Sequence, residues 1–77
     1  MSIKILAFGK VSELVGKSTW SATEIKDTKE LKEHLEKEFP ELKNISYFIA
    51  VNKSLIESEI ILNPEDVVAL MPAFSGG

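Results

Sequence analysis

One stretch of this sequence has helical periodicity, and the stretches around it read as short strands. That contrast restricts the fold more than any other feature. Leu31, Leu35 and Phe39 recur every four residues and make a single apolar stripe. Lys29, Glu30, Lys32, Glu33, Glu36 and Lys37 fill the rest of that surface, with Glu33 and Lys37 at the favourable i,i+4 spacing. Asp27 or Thr28 can cap the start, and Asp27 with Glu30 has capping-box spacing. Pro40 ends the helix at Phe39, because a residue before proline is pushed away from helical geometry. Charges arranged this way read as a solvated helix face, not a binding tail.

Alternating or continuous apolar runs place strands at 3–8, 18–25, 47–52 and 67–71. Residues 11–15 suit a short helix stopped by Gly16. Asn52-Lys53-Ser54 can turn, Leu55 and Ile56 resume a short apolar stretch, and 59–62 suits a short strand or turn. Asn63-Pro64-Glu65-Asp66 is a turn cluster ahead of the last strand. With 77 residues the chain is one domain, 1–77. A single amphipathic helix can cover one face of one small mixed sheet. The fold expected is α+β, a β-grasp of ubiquitin-like form, with 72–77 as an extended, flexible tail.

One helix leaves the other sheet face bare. If Ile3, Ile5, Val68 and Leu70 face the helix, then Leu6, Phe8, Ala69 and Met71 face away, and Phe48 and Ala50 join them. A far face that met only water would be polar. Contiguous exposed apolar surface marks a protein partner. His34, next to the apolar stripe, is expected to be partly buried in packing.

The most specific feature is the end of the chain. A last strand runs into Pro72, which lacks the N–H to continue a ladder, and then to Gly76-Gly77. The six residues after Met71 can extend roughly 20 Å. Glycine has no Cβ, so a Gly-Gly end can thread a narrow channel and present its carboxylate. A carboxylate is a poor acyl electrophile; as an acyl-adenylate it can be attacked by sulfur, and the product is a thiocarboxylate.

Composition narrows the field further. There is no cysteine to compete for an activated acyl group, to form a disulfide or to bind metal. Net charge is −3 with acids and bases mixed, which disfavours nucleic acid. No apolar run approaches the roughly 20 residues that span a bilayer. The start lacks a secretory pattern, so a cytoplasmic location is expected. One histidine and no evident partners make no metal site. No triad or paired carboxylates suggest an enzyme acting alone.

Three blocks resemble a known family, the small subunit of molybdopterin synthase within the ubiquitin-like sulfur carriers. They are Ile3-Lys4-Ile5-Leu6-Ala7-Phe8-Gly9 with Glu13-Leu14-Val15-Gly16, Ala50-Val51-Asn52 with Leu55, and Asp66-Val67-Val68-Ala69 with Met71-Pro72 and Gly76-Gly77. The resemblance implies that a ubiquitin-activating-type adenylyltransferase uses ATP and magnesium to adenylate Gly77, next to Gly76. A sulfur donor system then makes the thiocarboxylate. The tail enters the large synthase subunit, in a heterotetramer, and gives its sulfur to a cyclic pyranopterin. The chain itself binds no cofactor. Phe8, Leu55, Met71, Pro72 and Phe74 are the implied partner-binding residues. A carrier for thiamine or another thiolated product, and a ubiquitin-like protein modifier, are the alternatives. Ser12, Ala73 and Phe74 depart from the residues common in the family at these positions.

Overall fold

The computed structural model describes residues 2–73. Its elements run β1 (Ser2–Ala7), α1 (Gly9–Val15), β2 (Thr19–Thr23), α2 (Thr28–Glu38), a 3-10 helix (Pro40–Asn44), β3 (Tyr47–Val51), β4 (Ser54–Leu55) and β5 (Val67–Pro72). The five strands form one mixed sheet in the order β2-β1-β5-β3-β4. β1 and β5 are parallel at its centre; the other neighbours pair antiparallel. This is the expected β-grasp.

α2 forms where the apolar stripe predicted it. The Asp27 carboxylate accepts the Glu30 N–H at 2.8 Å, which satisfies one of the free donors of the first turn. Glu30 reaches back to the Lys26 N–H at 2.9 Å, one residue earlier than the usual capping box closes. Leu31 and Leu35 are fully buried. Phe39 lies beyond the last helical residue, as Pro40 requires. α1 begins two residues earlier than expected, and Gly16 ends it at φ +79°, where its N–H bonds Ser12 O.

The core lies between the sheet and the helices. Ile3, Ile5 and Ala7 of β1 and Val68 and Leu70 of β5 face Val11, Val15, Leu31, Leu35 and Leu42. The face assignment drawn from alternation is therefore the one the protein adopts. Trp20 packs at the rim of this core, edge-on to Phe39 with ring centroids 6.1 Å apart, and the Lys17 ammonium stands 5.0 Å from its ring.

Several expectations need correction. His34 is exposed, its side chain 46% accessible and 3.8 Å from Glu38, because it sits on the solvent side of α2. β2 stops at Thr23, since Glu24 takes φ +62° and leaves extended geometry. Residues 59–62 make only an isolated bridge, Asp27 to Ile61. Pro72 does not stop the sheet: it pairs with Tyr47, and the Ala73 N–H still reaches Ser46 O at 3.0 Å. Backbone groups alternate between the two edges of a strand. The missing Pro72 N–H therefore faces the β1 side, where β1 has already ended, and the ladder loses nothing.

The β3–β4 connection is a two-residue hairpin with φ +51° at Asn52 and +74° at Lys53, the left-handed pair of a type I′ turn. The Asn52 side chain ties this turn to β5. Its Nδ2–H donates to Asp66 Oδ1 and its Oδ1 accepts the Val67 N–H, both at 3.0 Å. Asp66 Oδ2 accepts the Asn63 N–H at 2.8 Å. The Asn63 backbone and then the Asn52 amide hold the Asp66 carboxyl below the ordinary carboxylate range. A depressed folded-state pKa gives stability that is present above the unfolded value, about 3.9, and lost as pH falls through the folded one. The expected outcome is that acidification below about pH 4 destabilises Asp66→Asn less than the wild type, read by urea unfolding at several pH values.

Candidate functional site

The site is built from the outer face of the central strands and the point where β5 ends. Register decides which side chains share that face. Phe48 lies opposite Met71, and Ala50 lies opposite both Ala69 and Leu55. Ala69 also pairs with Leu6 across the parallel β1–β5 ladder. Phe8 follows β1 directly, and its N–H bonds Leu70 O at 3.0 Å, which anchors it beside the end of β5.

These side chains make a contiguous apolar surface. Phe8 is 48% exposed, Phe48 51% and Leu55 61%, while Leu6, Ala69 and Met71 are half-buried between them. Ala50 is buried, yet it lies outside the core cluster, in register between Ala69 and Leu55. Lone apolar side chains on a surface need no explanation, but aromatics grouped on one sheet face do.

Of the residues expected to bind a partner, Phe8, Leu55 and Met71 are brought together on this face. Pro72 is not. Its parity turns its ring to the helix side, where a Cβ added to Gly9 would stand 3.1 Å from Pro72 Cγ. Gly9 has φ +53°, so both the turn into α1 and the close approach of Pro72 favour glycine there. The ring thus lies against the start of α1, at the base of the tail. Phe74, Gly76 and Gly77 lie outside the described residues.

Pro72 has a second neighbour across the ladder. Tyr47 pairs with it, and the Tyr47 hydroxyl donates to Glu36 Oε2 at 3.0 Å. Burial, then that bond and the Glu36 charge, push the phenol well above its ordinary pKa, so it stays a neutral donor. The bond links α2 to the strand segment that holds the last described residues of β5.

Phe48 was legible as an outward residue from alternation. It stands out as a contact residue only once the sheet shows it opposite Met71 and half exposed. Ile61, 76% exposed in the loop before β5, belongs to no strand periodicity and gave no signal.

The matching family is decided by sequence: a model of the ThiS family matches residues 5–77. The chain belongs to the ThiS family. Solved structures share this ThiS-family fold at low identity. A putative molybdopterin converting factor subunit 1 from Pyrococcus furiosus superimposes with a TM-score of 0.84 at 21% identity, covering 96% of this chain and 99% of that one. Small archaeal modifier protein 1 from Methanosarcina acetivorans gives 0.82 at 22%, covering 99% and 96%. A complex of subunits 1 and 2 of the molybdopterin-converting factor from Helicobacter pylori gives 0.74 at 24%, covering all of both chains. The expected ubiquitin-like sulfur-carrier family is thus borne out at the level of family and fold.

Proposed function

We propose that this ThiS-family chain is the sulfur-carrying small subunit of a molybdopterin synthase. Its reactive group is the carboxylate of Gly77. A ubiquitin-activating-type enzyme, with ATP and magnesium, joins that carboxylate to AMP and releases pyrophosphate. Sulfur from a donor system attacks the acyl carbon, AMP leaves, and the thiocarboxylate remains. The large synthase subunit then takes the tail and transfers the sulfur to a cyclic pyranopterin.

The observation that carries this reading is the continuity of the apolar outer face with the end of β5. A partner seated on Phe8, Phe48 and Met71 stands where the chain departs toward Gly76-Gly77, so docking and delivery use one surface. The neighbour from Helicobacter pylori, solved as a complex of subunits 1 and 2, supports a large subunit as that partner. The likeness to the archaeal modifier protein favours a second reading, attachment of Gly77 to protein lysines.

Intact mass spectrometry separates the two. After incubation with the activating enzyme, ATP, magnesium and a sulfide source, a carrier gains about 16 Da at Gly77, oxygen replaced by sulfur. Isopeptide-linked Gly77 in cells, with no thiocarboxylate, would favour the modifier.

The docking face has its own test. Phe48→Ala removes an aromatic from the centre of the surface, where the few hot-spot side chains of an interface cluster and each loses about 2 kcal/mol or more on truncation. Affinity for the large subunit is expected to fall at least about tenfold by calorimetry. The fold should persist, because Phe48 is outside the core cluster.

A further inference from the structure

β2 has a strand neighbour on one side only, among the described residues. Which of its backbone groups are free follows from one bond. Ser18 O accepts the Ala7 N–H at 2.9 Å, so Ser18 faces β1, and by alternation Trp20 and Ala22 do too. Thr19, Ser21 and Thr23 therefore turn their N–H and C=O groups outward. Sheet edges are commonly guarded by lysine, proline, a bulge or shortness. β2 is Thr-Trp-Ser-Ala-Thr over five residues, with no charge and no proline, so its outward edge is open.

We propose that this edge is a self-association site, in which β2 of two copies pair antiparallel about a twofold axis at Ser21. That register matches each outward residue with an outward residue of the second copy: Ser21 with Ser21, and Thr19 with Thr23 on either side. All the free groups of both strands are then paired, and no shift of register does as well. Side chains agree with it. On the core side Trp20 of one copy lies opposite Ala22 of the other, a large ring against a methyl. Ala22 also lines an apolar groove of about 620 Å³ with Ile3, Ile25 and Leu62, which gives that ring room. On the outer side threonines face threonines, a favourable cross-strand pair.

Charge selects the antiparallel sense. Lys17 precedes the strand and Glu24 follows it. Antiparallel pairing brings Lys17 of one copy beside Glu24 of the other at both ends, whereas parallel pairing sets like charges together. Glu24 at φ +62° also ends the extended segment, which limits pairing to this window. The interface is isologous and closed, so it stops at a dimer. A five-residue edge buries less than a standard interface of about 1,200–2,000 Å², so the dimer is weak, with a Kd of about 10⁻⁴–10⁻³ M. β2 is two strands from β5, which leaves the outer apolar face of both copies open. The inference does not depend on the sulfur-carrier reading.

The test uses the full chain at concentrations spanning about 0.05–2 mM, the range such a Kd requires. Sedimentation should show the mass rising from monomer toward dimer. Amide exchange should slow with concentration at Thr19, Ser21 and Thr23 but not at Trp20 and Ala22, whose N–H groups already bond β1. Ser21→Pro deletes the central outward donor, a loss an edge strand tolerates, and should weaken association at least about tenfold. Ser21→Lys sets two ammonium groups directly opposite each other and should do the same without touching the backbone. Lys17→Glu should weaken the dimer, and adding Glu24→Lys should restore it. A chain that stays monomeric throughout, or associates equally well as Ser21→Pro and Ser21→Lys, would overturn the proposal, as would protection that appears only on mixing with a different protein.

Discussion

Removal of Gly76 and Gly77 is expected to abolish sulfur loading while leaving the folded domain intact. The shortened chain ends at Ser75, so a carboxylate still exists, but it is withdrawn by about 7 Å of extended backbone. Misplacement of a reacting group by about 1 Å can lower a rate about a hundredfold, so the retreat predicts a loss exceeding about 10³-fold. Ser75 also carries a Cβ and a hydroxyl where the glycines carry neither, which adds a steric barrier in any narrow channel. The measurement is ATP–pyrophosphate exchange with the activating enzyme, together with intact mass. The Gly77 amide is the companion variant. It keeps length and shape but removes the carboxylate oxygen that the proposed adenylation requires, and it should load no sulfur. Thermal melts of both variants should match the wild type, because Leu70 is the last core residue among the described residues. Loading that survives in either variant would move the chemistry away from the end of the chain.

The second large effect falls on stability. Leu31→Ala removes the centre of the α2 stripe, at a position with no solvent exposure, among Ile5, Leu35 and Val68 of the same core cluster. Such truncations lose about 2–5 kcal/mol, because the cavity left behind closes only in part. A domain of this length has a total stability of roughly 4–12 kcal/mol, so one substitution removes a large share of it. The melting temperature should fall by roughly 10–30 °C, followed by circular dichroism. Leu31→Met, which nearly conserves volume, should lose less than about 1.5 kcal/mol. A Leu31→Ala protein melting within a few degrees of the wild type would mean that α2 does not organise the core.

The same helix shows what periodicity can reveal. Leu31 and Leu35 identify the buried face of α2 because a 3.6-residue repeat brings them onto one side regardless of what they meet. Strand alternation worked equally well for Ile3, Ile5, Val68 and Leu70. His34 was misread because adjacency to the stripe does not fix which side of its edge a residue occupies; one position is a rotation of 100°. Pro72 was misread for a related reason. A missing N–H breaks a ladder only on the side where a partner strand continues, and the end of β1 relative to β5 is a matter of register. The type I′ turn at Asn52-Lys53 was legible as a turn. The clasp from Asn52 to Asp66 and Val67 was not, because it joins groups far apart in the chain.

The sequence by itself determined that this chain is a small α+β domain, which residues of each element are apolar on which parity, and that two glycines follow the last strand. Those properties follow from local periodicity and backbone chemistry. Only the tertiary structure decided that Leu55 joins Phe8, Phe48 and Met71 on their shared face, that Pro72 lies against Gly9 instead, and that β2 has an open edge among the described residues. Strand order and register carry that information. They are set by pairing between distant segments under the demand that one face be buried, and no local pattern encodes that demand.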